Sequence, residues 1–281
     1  MKDGPVAGIL MAMLCLVVAL RAEARPLIAH YKLQAMDGHP YRLYGCEHVR
    51  LVISGIGKVA SAAAVAYQRA ILGNTSAAWL NIGIAGHHSK AVGSALLVHK
   101  IIDVGNGETF YPMFTAPPAC PTTLLHTVEE PDMDYATDCA YDMEASGFFA
   151  TAHHFASREL VHALKIISDN PHSPIENGDL KKSGDLIAAQ LAIIDQSVVT
   201  LQELSHGLTS LHADPPALGE IGERWHFSAT QRHLLRDLLQ RWQVLMPNCE
   251  VLDDQLLALQ KSREVLRHLE RRVAAADLTL C

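Results

Sequence analysis

Acids stand at the ends of apolar segments in this chain, and acids so placed can move protons. Tyr141-Asp-Met-Glu144 sets Asp142 and Glu144 on either side of Met143 in otherwise apolar surroundings. A carboxylate buried alone is costly, so the pattern predicts partners for both acids. Leu164-Lys-Ile-Ile-Ser-Asp169 is an apolar run that ends on another acid, next to Ser168. Glu23 follows a third apolar run, Val6 to Leu20. Acids delivered to one place by separate elements can do general acid–base chemistry. Taken one at a time, each also fits a capping or surface role.

The elements that must position these residues read as alternating strands and helices. Cys15 to Leu20 predicts a first strand running into a loop at Arg21 to Glu23, because a parallel strand buried on both faces is apolar throughout. Leu51 to Ala60 predicts a strand, a glycine turn at Gly55 and Gly57, and the start of a helix reaching about Leu72. The turn lacks the third glycine or the Lys-Ser/Thr of a phosphate loop. Two more strands are expected at Ala78 to Gly86 and Ser94 to Val104. A helix follows from Ala145 to Phe155, then a strand from Leu164 to Asp169 that Pro171 stops. A helix is expected from about Ser183 to Leu204. This alternation predicts an α/β domain.

Composition narrows the function classes. The chain has 281 residues, 49% hydrophobic and 19% charged, with a net charge of -7. A negative balance argues against a nucleic-acid binder held by phosphate contacts. The six cysteines show no metal spacing and read as reduced thiols. The histidine pairs His87-His88 and His153-His154 point their neighbours apart, so no metal and no cofactor are expected. From Ile101 to Ser157 there is no Lys or Arg but there are nine acids. That segment repels anions, and residues 129 to 138 read as a solvated acidic loop.

Met143-Glu-Ala followed by Ile167-Ser-Asp169 is similar to the pattern of the purine nucleoside phosphorylase and nucleosidase superfamily, closest to its methylthioadenosine/S-adenosylhomocysteine nucleosidase branch. Ser54-Gly-Ile-Gly-Lys58 and Asn81-Ile-Gly-Ile-Ala-Gly86, followed by Val92-Gly93, match further motifs in order, over residues 15 to about 208. The resemblance implies a three-layer domain, a twisted mixed sheet with helices on both faces. It implies hydrolysis of the N-ribosidic bond of a purine nucleoside or thionucleoside. In that scheme Asp169 is the general acid, Glu23 the base for water, and Glu144 the acceptor of the ribose hydroxyls. Met143 packs on the sugar, and Ile56, Ile84, Ala85, Gly86 and Ser168 complete the substrate pocket. Lys165 stands where the family often has a supporting arginine, and Asp142 supports beside it. A homodimer with a small-molecule nucleoside partner, and no membrane or nucleic-acid partner, is expected.

The chain departs from the pattern in places. Ser94 replaces an aspartate. Ile84 replaces a serine or other small residue, which leaves one polar ligand contact unaccounted for. Between Thr127 and Asp142 a longer family loop with a purine-stacking aromatic is missing; Tyr135 fits either that aromatic or a surface position. Two other readings therefore stay open: a phosphorylase of the same fold, and a catalytically weak nucleoside sensor or scaffold.

The ends of the chain carry separate expectations. Residues 1–14 read as a leader of unknown role. Ala22-Glu-Ala24 mimics a signal cleavage site, but the start is not basic, so the strand reading and a cytoplasmic location are preferred. Export through residues 1–24 is the alternative, and it would remove Glu23. Residues 209–281 predict a helical hairpin, with Leu234 to Trp242 on one face and a second helix from about Asp253 to Ala276. From Pro215 onward nine basic residues balance nine acidic ones, so packing on the domain or between subunits is preferred, and a partner-binding or nucleic-acid role rests only on the patch Arg263, Arg267, Arg271 and Arg272.

Overall fold

In the computed structural model, residues 13–73, 75–131, 134–174, 182–212 and 214–277 are described, without the side chains of 209–212 and 277. Residues 1–12 of the leader, Asp132 of the acidic loop and part of the polar loop after Pro171 lie outside them. The apolar run becomes β1 (Met13–Val18), followed by α1 (Arg21–His30), β2 (Gln34–Met36), β3 (Arg42–Gly45) and β4 (Val49–Ile53). Next come α2 (Lys58–Leu72), β5 (Ala77–His87), β6 (Ala95–Asp103), β7 (Thr109–Phe110), β8 (Thr122–Thr127) and β9 (Ala140–Asp142). Then follow α3 (Ala145–Ala152), β10 (Val161–Asp169), α4 (Ser183–Ala189) and α5 (Leu191–His212). The last segments are α6 (Pro216–Arg224), α7 (Ala229–Leu245), α8 (Asp254–Leu257) and α9 (Ser262–Asp277).

β1 lies between β4 and β5, parallel to both, which explains its unbroken apolar sequence. The antiparallel β3 and β2 extend the sheet beyond β4. On the other side β5 pairs with both β10 and β9, and the series β10, β6, β8, β9 returns to β5. Half of the mixed sheet thus closes on itself. Helices flank the sheet. α2 and α3 pack together over Cys15, Val17, Val52 and Trp79, while α1 and α4 pack together and contact β5.

Glycines shape a turn and a helix contact near the acids. Gly55 and Gly57 have φ of 88° and 99°, which L side chains rarely adopt, so the β4–α2 turn needs glycine. A Cβ on Gly147 of α3 would lie 2.0 Å from the Lys58 carbonyl. The two helices therefore touch backbone to backbone at the first turn of α2.

The chain divides into two compact units at Gly207/Leu208. Several expected boundaries move. Glu23 is not in a loop after the first strand but in the first turn of α1, because the strand ends at Val18. The helix expected from Ser183 to Leu204 is two helices bent by 66°. The break falls at Gln190, whose side chain donates to the Gly93 carbonyl at 2.8 Å. The second unit is more than a hairpin. α6 is an added helix, and the expected second arm is broken into α8 and α9. Ile221, Trp225, Phe227, Leu235, Trp242, Leu256 and Leu269 share one core there. Of the basic patch, Arg272 pairs with Asp253 and lies over the Trp242 ring at 4.5 Å.

Candidate functional site

The C-terminal ends of the parallel strands β1, β5 and β10 open into one cleft of about 680 Å³. Strand ends are where α/β sheets place ligands, because loops and helix starts converge there. Glu23, Ile56, Ile84, Ala85 and Gly86 line the cleft on one set of elements, and Asp142, Met143, Glu144, Ser168 and Asp169 on another. Ala19, Leu20, Val128, Pro131 and Tyr141 complete its wall. Lys165 is not on the lining; it lies beneath, 1% exposed.

Glu23 is held by the backbone. One carboxylate oxygen accepts the N–H groups of Ala19 at 3.1 Å and Leu20 at 2.9 Å, and the other accepts Ile84 N–H at 3.0 Å. The first pair is the capping geometry of a glutamate in the first helical turn. A side chain on Gly83 would crowd it, since a Cβ there would lie 3.2 Å from the carboxylate. Burial raises the Glu23 pKa above the ordinary carboxylate value, against the pull of those donors and of Lys165. A carboxylate so raised is a better proton acceptor than an exposed one.

Lys165 balances the acids from below. Its ammonium contacts Asp142 at 2.8 Å and donates to the side-chain amide oxygen of Asn81 at 2.7 Å. Burial disfavours its charge, but Asp142, Glu144 and Glu23 outweigh burial and raise its pKa. It therefore neutralises the Asp142 side of the cluster rather than touching Asp169. Asp142 also accepts the Thr127 hydroxyl at 2.7 Å and Ala145 N–H at 2.9 Å, the partners that a buried acid requires.

Glu144 caps the contact between α2 and α3. It accepts Gly57 N–H at 2.9 Å, at the N-terminus of α2. Burial, followed by the charge of Asp142, pushes its pKa up to about 7. Lys58, the next residue, points elsewhere. Its ammonium binds Asp103 at 2.9 Å and Glu129 at 2.6 Å. Asp103 also takes the Ser146 hydroxyl at 2.9 Å.

Asp169 ends β10 beside Gly86 of β5. Ser168 donates its hydroxyl to one carboxylate oxygen and Tyr135 donates its hydroxyl to the other. Tyr135 is 2% exposed, so the surface position left open for it does not hold. The aromatic ring on the cleft wall is instead Tyr141, a residue of the motif itself that sequence reasoning passed over. Asn81, Thr127 and Asp103 were also missed as partners of the cluster; the Asn81 motif was the only signal for any of them. Among the described residues no group of three or more His, Cys, Asp or Glu is arranged to hold a metal ion, and no single helix is long and apolar enough to cross a membrane.

No family model and no curated protein matches the chain. Solved structures do. The fold is similar to 5′-methylthioadenosine nucleosidase of Arabidopsis thaliana in its apo form, with TM-score 0.56 and 19% identity over 68% of this chain and 95% of that one. It is similar to 5′-methylthioadenosine/S-adenosylhomocysteine nucleosidase of S. pneumoniae with a transition-state inhibitor, with TM-score 0.50 and 20% identity over 68% and 99%. A futalosine hydrolase mutant of Helicobacter pylori matches with TM-score 0.50 and 14% identity over 66% and 99%. At 20% identity or less, these likenesses show a shared fold, a mixed sheet flanked by helices.

Proposed function

We propose that this cleft hydrolyses the N-ribosidic bond of a purine nucleoside or thionucleoside of the methylthioadenosine/adenosylhomocysteine kind, releasing the free base. The observation that carries the reading is that Glu23, Glu144 and Asp169, from three separate elements, open into one cleft of a nucleosidase fold. Asp169 gives its proton to a ring nitrogen of the purine. The electrons of the C1′–N bond pass to the base, leaving positive charge on the sugar. Water adds to C1′ and its proton passes to Glu23, after which solvent restores both carboxyls. Glu144 accepts the ribose hydroxyls, with Met143 and Ile56 against the sugar. Tyr141 supplies an apolar face beside the base.

Water rather than phosphate is favoured by charge. The lining holds four acids and, among the described residues, no Arg, Lys or His. Lys58 is occupied by Asp103 and Glu129, and Lys165 by Asp142 and Asn81. A phosphate dianion would meet carboxylates where it needs donors.

A screen of adenine release from methylthioadenosine, adenosylhomocysteine, deoxyadenosine and adenosine, with and without phosphate, tests the reading. Release without phosphate supports it. Release only with phosphate establishes the phosphorylase instead, and binding without release establishes a sensor. Retention of the first residues and a cytoplasmic location are part of the proposal. β1 is a central strand and Glu23 follows it, so removal of residues 1–24 would take out both. A homodimer is also proposed, and light scattering of the purified protein decides it.

A further inference from the structure

We infer that Tyr135 is a positioning residue for Asp169, acting through its hydroxyl on the carboxylate that the proposed hydrolysis uses as acid. This rests on the reading above and adds to it a residue from the segment between β8 and β9.

Three independent features converge on the contact. Tyr135 is buried behind the cleft wall among Cys139, Tyr141 and Val128, its ring edge-on to Tyr141 at 6.1 Å, so the phenol does not face the ligand space. Its backbone has φ of 47°, a region that costs a bulky L residue free energy and persists only where surroundings impose it. The imposing contact is the Tyr135 carbonyl, which accepts from the His88 ring at 2.6 Å, just past the end of β5. The third feature is Gly86. A Cβ there would lie 2.7 Å from the Asp169 oxygen that Tyr135 binds and 2.9 Å from the Tyr135 ring. Glycine leaves room for carboxylate and ring to meet.

The chemistry of such a contact is differential. Before proton transfer the Tyr135 hydroxyl faces a carboxylic acid. As the proton leaves for the purine, charge gathers on the carboxyl, and the hydrogen bonds from Tyr135 and Ser168 become charge-assisted and stronger. An interaction that strengthens toward the transition state raises turnover rather than ground-state affinity. The two donors also pin both carboxylate oxygens, which fixes the plane in which the acid meets the base.

The test compares two substrates in wild type and Tyr135→Phe. One is methylthioadenosine, whose base leaves only when protonated. The other is a 4-nitrophenyl riboside with the same 5′ group, whose phenolate leaves without an acid. We expect Tyr135→Phe to lower kcat on methylthioadenosine about 10- to 100-fold, the range for a hydrogen bond to a charged group, with KM near the wild-type value. Turnover of the nitrophenyl riboside should change less than about 3-fold, which also reports that the variant is folded. Equal losses on both substrates would mean that the phenol only supports the fold, and an unchanged kcat on methylthioadenosine would mean that it does nothing for the acid; either overturns the inference while hydrolysis stands. If wild type hydrolyses neither substrate, the proposed function falls and this inference with it.

Discussion

Replacing Lys165 by methionine tests how the buried charges under the cleft are balanced. The ammonium lies 2.8 Å from Asp142, whose side chain is fully buried, and 2.7 Å from Asn81. Methionine keeps the length and loses the charge, so Asp142, Glu144 and Glu23 lose the cation they share. Removing one partner of a buried ion pair costs about 3–5 kcal/mol, against a stability of about 5–15 kcal/mol for a whole domain. The cost depends on pH. Burial raises Glu23, and Glu144 stands at about 7 instead of 4.5. A carboxyl raised in the folded state binds protons more tightly than in the unfolded chain. Its contribution is therefore most favourable at low pH and is lost as pH rises from about 4.5 through about 7. Without Lys165 the acids repel more strongly once ionised, so the penalty of Lys165→Met is smaller at about pH 5.5 than at about pH 8. Adding Asp142→Asn removes the orphaned charge and recovers at least half of the loss. Urea unfolding followed by hydrogen exchange of peptides from β5 and β10 reads this unit separately from the helical one. A penalty under about 1 kcal/mol at about pH 8, or a double variant no more stable than the single one, would refute the charge balance argued from the geometry.

Other outcomes follow from the same site. Asp169→Asn keeps the shape but has one acceptor oxygen for two hydroxyl donors; turnover should fall by about 100-fold or more while the melting temperature drops only slightly. In the proposed reaction Glu144 accepts the ribose hydroxyls best as a carboxylate, and burial first, then the charge of Asp142, pushes its pKa up to about 7. Hence 1/KM should rise as pH climbs through about 7, and Glu144→Gln should flatten that rise. Intact mass of the protein from its native cells should show residues 13–24 retained; a mature chain starting at Arg25 would contradict the cytoplasmic proposal.

How much was legible depended on whether the signal was local. The β4–α2 turn declares itself through Gly55 and Gly57, and β5, β10 and the Met143-Glu144 pair through apolar runs ending on polar groups. Glu23 was legible as a residue but not as part of a helix. Pro26 disguises α1, since an internal proline removes a helical N–H. The closure of β5, β10, β6, β8 and β9 rests on pairings distant in sequence, which no local period encodes. Lys165 gave no sign of choosing Asp142 over Asp169, because that depends on which side of β10 faces the cluster. Tyr135 sits between Asp134 and Ala136 in an acidic stretch that looks solvated, and only its packing against Cys139 and Tyr141 and its bond to Asp169 show why it is buried. The helical unit was half legible: the stripes on α7 and α9 are periodic, but α6 is short and begins on the second of two prolines.

The most direct measurement of the central claim is the fate of water oxygen. Methylthioadenosine is incubated with the protein in phosphate-free, oxygen-18-enriched water, and the sugar product is weighed by mass spectrometry. The account predicts adenine and a methylthioribose that takes up one labelled oxygen as it forms, faster than unlabelled methylthioribose exchanges when incubated alone. No adenine without phosphate, or a sugar phosphate when phosphate is supplied, would contradict it.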